Sequence, residues 1–229
     1  MKLTYLFLAL VLFTFELSCK KVDNYSAPDA GITGTVIDNT TNEGIQTEAG
    51  SGFQIGMLEF GYNPVIPINF FAKADGSFEN TQLFADKYKV IPFNGAFLPP
   101  DTAVVDVVKG LTNIDFTVTP FMTITAAAPQ VISNNVVINY TLSRPSQISY
   151  NITTCMAVAA KVPAVSASVN DYNINHDLSG MNYQQISQMQ FSDTLKNMPS
   201  GTIYVRIAGQ TSNPQNRFNY SKVDTVNIP

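Results

Sequence analysis

Ala30-Gly31-Ile32-Thr33-Gly34-Thr35-Val36-Ile37-Asp38-Asn39-Thr40-Thr41-Asn42-Glu43-Gly44 begins with apolar and polar residues in alternation and closes on a run of turn formers. Alternation with period two is the mark of a half-buried strand, and Asx residues ending in glycine mark the turn that follows it. The same signature recurs downstream. Phe53, Ile55 and Met57 keep the period, Ile66, Ile68 and Phe70 repeat it, and Asp75-Gly76 is a hairpin signal ahead of Ser77-Phe78. Residues 88–92 and 104–108, a Lys109-Gly110 turn, and Ile114, Phe116 and Val118 bring the total to about seven short strands with no amphipathic helix among them. The pattern predicts a β-sandwich over residues 29–120.

Thr119-Pro120-Phe121 reads as a join, because Met122, Ile124 and Ala126 restart the alternation and Ala128-Pro129 then turns the chain. Residues 136–142, Ile148 to Ile152 in alternation, residues 191–195, Ile203, Val205 and Ile207, and residues 218–228 are further strand candidates. They predict a second sandwich, of immunoglobulin or fibronectin type, over residues 121–229. Leu178, Met181, Ile186 and Met189 are compatible with a turn of helix or a long loop, and the segment is read as a loop. The fold class expected is all-β, two tandem sandwiches.

The start of the chain reads differently. Lys2 precedes an apolar run at residues 6–15 broken only by Thr14, and Leu17-Ser18-Cys19 follows. That run is about ten residues, half the length of a membrane-crossing helix, so residues 1–18 are read as a lipoprotein signal peptide. Cleavage would leave Cys19 at the N-terminus for lipidation, although Glu16 stands where the usual bacterial pattern has an aliphatic residue. Residues 19–28 become a lipidated tether, and no later segment reads as membrane-seeking. The expected location is the outer membrane, on the cell-surface or periplasmic face, with the membrane as partner through the N-terminal lipid.

A net charge of −4 with only 13% charged residues offers no concentrated Lys/Arg face, which excludes nucleic acid as a partner. Lys20-Lys21 is membrane-proximal charge. Cys155 is the only other cysteine, so lipidation of Cys19 leaves no intramolecular disulfide, and Cys155 reads as a small buried hydrophobe. His176 is the sole histidine, and its setting in Tyr172-Asn173-Ile174-Asn175-His176-Asp177 reads as a polar loop. No phosphate loop, dinucleotide fingerprint or EF-hand pattern is present, so no catalytic residue, metal site or cofactor is assigned. Asp75 and Glu79, the nearest to a glycosidase carboxylate pair, read as a turn acid and an edge-strand acid.

Sugar binding calls for aromatic rings beside amide or carboxylate groups. Trp is absent from the chain. The loop candidates are Tyr62 with Asn63, Tyr172 with Asn173, and Tyr183 beside Gln184-Gln185. Asp101-Thr102-Ala103, Asp193-Thr194-Leu195 and Asp224-Thr225-Val226 each match an Asp-Ser/Thr-aliphatic triplet, which makes Thr102, Thr194 and Thr225 candidates for O-glycosylation.

Gly34-Thr35-Val36-Ile37-Asp38, Gly44-Ile45, Ala74-Asp75-Gly76-Ser77-Phe78 and Tyr88-Lys89-Val90 resemble the carboxypeptidase-regulatory, prealbumin-like sandwich, with Asp86-Lys87 where that family usually has glycine. The resemblance implies an accessory fold and no peptidase activity. With the tether and the Tyr204-Val205-Arg206-Ile207 to Asn219-Tyr220-Ser221-Lys222 segment, the chain resembles a two-domain Bacteroidetes lipoprotein family of unknown function. That resemblance implies a setting beside outer-membrane glycan uptake systems of the starch-utilisation type. The function it implies is a non-catalytic accessory lipoprotein that binds polysaccharide and meets outer-membrane uptake proteins. Two alternatives stand beside it, a docking or spacer module for another envelope protein and a carboxylate-dependent glycoside hydrolase.

Overall fold

The computed structural model describes residues 26–61, 63 and 66–229. The segment read as a signal peptide, Cys19 and Tyr62 lie outside the described residues, as does the expected tether up to residue 25. Apart from one helical turn, the described residues are β-structure joined by turns, in two sandwiches, with no strand pairing across Phe121 among them.

The first sandwich holds ten strands: β1 (Ala30–Asp38), β2 (Glu43–Gly44), β3 (Gln54–Glu59), β4 (Ile68–Phe71), β5 (Ser77–Leu83), β6 (Asp86–Phe93), β7 (Phe97–Leu98), β8 (Ala103–Val107), β9 (Gly110–Asn113) and β10 (Phe116–Pro120). One sheet is built on β1, which pairs with β5 and β9 in its first half and with β2 and β10 in its second. The other runs β4-β3-β6-β8. Phe53, Ile55, Met57, Tyr88 and Val90 from the second sheet meet Ile32, Val36, Phe78 and Phe116 from the first in one buried cluster. The Asp75-Gly76 hairpin signal is realised at a backbone position few residues tolerate. Gly76 sits at φ +83, where an added Cβ would lie 2.7 Å from Ile45 N, while its carbonyl accepts from Val36 N at 2.9 Å.

Strand direction gives this sandwich two distinct ends. At the entry pole the chain arrives at Ala30, beside Leu83 of β5, Leu111 of β9 and the Lys109 turn. At the far pole β10, parallel to β1, delivers the chain into the second sandwich.

That sandwich contains β11 (Thr123–Ala126), β12 (Gln130–Ile132), β13 (Asn135–Ser143), β14 (Ile152–Ala160), β15 (Tyr172–Asp177), β16 (Phe191–Leu195), β17 (Gly201–Thr211), β18 (Phe218–Tyr220) and β19 (Asp224–Ile228). Strands β11, β12 and β16 flank β13, and β15-β14-β17 with β18 and β19 form the facing sheet. A B-type strand paired with E, opposite C′-C-F-G, is an immunoglobulin or fibronectin-like order. Three local readings change. The segment around His176 is strand β15, not a loop, because alternate residues Tyr172 and Ile174 pack on the core while Asn173 and Asn175 face out. Tyr183–Ile186 is a one-turn helix, α1, where a loop was expected, closed by a capping box between Asn182 and Gln185. Strand β14 starts at Ile152 and runs on to Ala160, later than the alternation from Ile148 suggested.

The two sandwiches meet over a buried polar clamp. Arg206 on β17 is only 3% exposed. Its Nε donates to Ser221 O (3.2 Å), its Nη1 donates to Thr47 O (3.2 Å) and Val165 O (3.3 Å), and the guanidinium lies 4.0 Å over the Tyr220 ring. Burial lowers its pKa to about 10, against the raising influence of Tyr220 and Glu48. Burial also pushes the Glu48 carboxyl up, but hydrogen bonds from Ser168, Ser166 and Ser51 outweigh it and hold the group below its ordinary value. Glu48 accepts from Ser166 Oγ at 2.8 Å and also from Ser168 Oγ, so a first-sandwich carboxylate grips a second-sandwich loop. Around this centre Asn219 Nδ2 donates to Ala96 O (2.9 Å), Arg217 Nε to Asn94 O (3.2 Å), and Phe121 stacks edge-on against Tyr150 at 5.0 Å.

Replacing Arg206 with Met keeps the volume but strands the buried carbonyls of Thr47, Val165 and Ser221. We expect Arg206→Met to lose about 3–5 kcal/mol and to split one thermal transition into two in calorimetry, as the sandwiches melt separately. A single unshifted transition would remove the clamp from its role.

Candidate functional site

The outward face of the β4-β3-β6-β8 sheet is the candidate binding surface. Inward positions on β3 and β6 supply the core, so pleating sends the residues between them to solvent. Register lays these out in rows. Phe71, Gln54 and Phe93 form one row, and Asn69, Gly56 and Ile91 the next. Leu58, Lys89 and Val104 follow. Gly56, lacking a side chain, lets the Phe93 ring and the Asn69 amide fold in over the middle of the face, since a Cβ there would stand 3.0 Å from the ring and 3.3 Å from Asn69 Oδ1, and a hollow borders them. The hollow encloses about 340 Å³, with Ile91 and Phe93 as apolar wall and Asn69, Lys89 and Thr102 around its rim. Lys89 Nζ leans toward the Phe60 ring, 5.6 Å from its centroid. A ring face, an amide and a rotatable ammonium about one glycine-floored hollow is chemistry suited to a sugar ring, with its apolar C–H face and its hydroxyls.

A second concavity of about 340 Å³ lies between the sandwiches, bordered by Asp38, Glu43, Thr123, Asn219, Lys222 and Asp224. Glu43 and Lys222 form an ion pair there at 2.7 Å, and desolvation raises the Asp224 carboxyl above its ordinary value. The Glu43–Lys222 pair and the Asn219 amide nitrogen serve the interface, Thr123 Oγ1 and Asn219 Oδ1 are buried there without a hydrogen-bond partner, and its one ring, Tyr220, is covered by Arg206. Among the described residues no group of three or more His, Cys, Asp or Glu is gathered where it could hold a metal ion. Asp75 is a turn acid whose Oδ1 accepts from Ser77 N and Oγ, which keeps its pKa low.

The residues singled out from sequence do not come together. Asn63 is exposed in the β3–β4 loop of the first sandwich, whereas Tyr172 and Tyr183 belong to the second. Tyr172 packs half-buried on the second core, and Asn173 donates to Asn170 Oδ1 at 2.9 Å. Tyr183 accepts from Arg144 N (3.0 Å), donates to Arg144 O (3.2 Å) and lies under the Arg144 guanidinium at 4.6 Å, so it fixes a turn. Of the glycosylation candidates, Thr102 and Thr225 are exposed and Thr194 is half-buried in β16. Thr102 alone borders the hollow.

Residues 30–119 match the family model described as the N-terminal domain of a protein of unknown function, DUF3823. The chain is similar in fold to a DUF3823 family protein from Bacteroides uniformis, at 21% identity and a TM-score of 0.76 over 88% of this chain and 100% of that one. It is similar to a second Bacteroides uniformis protein, described as a putative carbohydrate binding protein, at 21% identity, TM-score 0.75 and the same coverage. A DUF3823 family protein from Parabacteroides merdae aligns at 19% identity and TM-score 0.71 over 89% of this chain and 100% of its own. No curated protein matches the chain.

Sequence reading missed one buried polar chain in the second sandwich. His176 Nε2 meets Asp193 Oδ1 at 2.8 Å, Tyr140 OH donates to Asp193 Oδ2 at 2.9 Å, and the same hydroxyl lies 3.4 Å from Cys155 Sγ. Phe191 stacks on Tyr140 at 4.9 Å and meets His176 edge-on. The arrangement does not activate the thiol. Desolvation pushes Cys155 up to about 11 from an ordinary 9.0, and desolvation likewise drives Tyr140 far above its usual range. Both groups hold their protons more tightly when folded, so their stabilisation is complete below pH 9 and drains away as pH rises through the folded value. In a chain starting at Lys20, Cys155 should resist a thiol reagent at pH 8 until denaturant is added, and the melting temperature should fall between about pH 9 and pH 11. Cys155→Ala should make that fall shallower, whereas rapid labelling of the native protein would contradict the buried, protonated thiol.

Proposed function

We propose that this chain is a non-catalytic envelope protein that binds carbohydrate in the Gly56 hollow of its first sandwich. The observation that carries the reading is the Gly56 hollow itself, with the Phe93 ring on one wall and Asn69 and Lys89 at the rim. A sugar would lay its apolar face against Phe93, accept from Lys89 and exchange hydrogen bonds with the Asn69 amide, without side-chain rearrangement around Gly56. A relative similar in fold is described as a putative carbohydrate binding protein, which supports the ligand class. Lipidation of Cys19, an outer-membrane location and service to a glycan uptake system complete the proposal. They rest on the lipobox-like Leu17-Ser18-Cys19 and on the family resemblance. A docking or spacer role is a second reading, favoured by the Arg206 clamp, which fixes one sandwich against the other.

Affinity electrophoresis against a panel of plant, microbial and host polysaccharides, followed by calorimetry, tests the site. Phe93→Ala and Asn69→Ala should each weaken binding by about tenfold while melting stays nearly unchanged, because both face outward. Tyr183→Ala should do the reverse, lowering the melting temperature and sparing affinity. Uniform failure to bind would leave the spacer reading. Intact mass of the native protein should carry the lipid on Cys19, and added hexose at Thr102 would close the hollow to free ligand.

A further inference from the structure

Among the described residues, five of the nine large apolar side chains exposed on the first sandwich lie at one end. Strand β3 runs toward the entry pole and ends in Phe60, and the loop beyond it brings Ile66 before β4 turns back. The β5–β6 turn places Phe84 at the same pole, since Leu83 pairs with Ala30 and Asp86 with Val107. The β8–β9 turn adds Val108, and Leu111 lies beside Gly31. Three segments distant in sequence thus present Phe60 (39% exposed), Ile66 (74%), Phe84 (48%), Val108 (58%) and Leu111 (57%) around the point where the chain enters the fold. A water-facing turn of a monomeric domain has no need of such side chains.

Lys109 and Lys87, beside these turns, are each ion-paired. Lys109 Nζ lies 3.3 Å from Asp29 and Lys87 Nζ 3.4 Å from Asp106, which leaves no basic field to steer the pole toward anionic groups. The chain before it is short. The nine residues between Cys19 and Asp29 make ten steps that reach at most roughly 35 Å, and the second sandwich leaves from the opposite pole.

We infer that the entry pole is a membrane-contact surface, in which Phe60, Ile66, Phe84, Val108 and Leu111 dip into the bilayer interface beside the lipidated Cys19. The inference rests on the lipid-anchor reading. An acyl anchor alone leaves the protein free to tumble on its tether, whereas five apolar tips in the headgroup region hold the sandwich upright with its second domain pointing away. The partner is the acyl and glycerol layer of a phospholipid bilayer. The contact is apolar, so on zwitterionic lipid it is nearly insensitive to salt.

The absence of Trp gives a clean reporter. The mature chain from Cys19 would be coupled through that cysteine to a maleimide lipid in phosphatidylcholine vesicles, Cys155 being buried. Phe84→Trp and Leu111→Trp should shift their emission to the blue and be quenched by brominated acyl chains, equally at low and high salt. Ile132→Trp, exposed on β12 of the second sandwich, should show neither effect. Adding Val108→Ser and Ile66→Ser to Phe84→Trp should reduce its quenching to the Ile132→Trp level, with unchanged melting as the control for folding. Water-like, unquenched emission from Phe84→Trp and Leu111→Trp would overturn the inference. So would a blue shift that persists without vesicles and grows with protein concentration, which assigns the pole to a second copy of the chain. Because the lipid is attached chemically, this result stands apart from natural lipidation, which the mass of the native protein reads separately.

Discussion

A guanidinium withdrawn from water needs acceptors, and the geometry of this molecule follows from where Arg206 finds them. Its three carbonyl partners belong to three separate pieces of chain: Thr47 in the first sandwich, Val165 in the β14–β15 loop, and Ser221 after β18. No single element can satisfy it. Desolvation of the charge is a cost that only the assembled interface offsets, so the sandwiches are held at one mutual orientation instead of swinging on the short Pro120-Phe121 join. Glu48 adds a carboxylate within electrostatic reach, itself kept ionised by serine hydroxyls from the second sandwich.

That fixed orientation gives each surface a place. The entry pole, the outward sheet face and the second sandwich occupy one end, a flank and the other end of a single body. On the proposed anchoring, the Gly56 hollow opens on the flank, with Pro67 and the Lys89–Phe60 contact on its bilayer side. The hollow and the pole also differ in chemistry for a reason. Along the flank apolar groups alternate with Asn69, Gln54 and Lys89, which suits a polyol, whereas the pole carries the exposed apolar tips of Ile66, Val108 and Leu111.

The strands were legible because both sandwiches have wet outer faces, so alternation survives in the sequence: Phe53-x-Ile55-x-Met57 and Ile203-x-Val205-x-Ile207 appear where they were read. Where packing spoils the period, reading failed. In β14, Ala157, Val158, Ala159 and Ala160 are all buried, because Val165 and neighbours cover the second face of that strand, so the alternation stops at Thr154 while the strand continues. The Tyr172–Asp177 strand looked like a loop because its outward residues are asparagines, which ordinarily favour turns. The hollow could not be read at all. It depends on which residue of β6 stands opposite Gly56, and register is a property of the folded sheet, not of either strand. Of the tyrosines that stand beside amides in the sequence, Tyr172 and Tyr183 are engaged by the fold itself.

The same limit explains why no segment after the signal read as membrane-seeking. A hydropathy argument sees consecutive residues, and Phe60, Ile66, Phe84, Val108 and Leu111 are isolated apolar residues in otherwise polar turns. Each alone is an ordinary exposed side chain. Only the directions of β3, β5 and β8, all running toward the start of β1, collect their turns at one pole. A sandwich whose successive hairpins close at the same end is able to assemble an apolar surface from scattered residues, and burying that surface in lipid requires that the tether emerge at that end. It does, because β1 starts there.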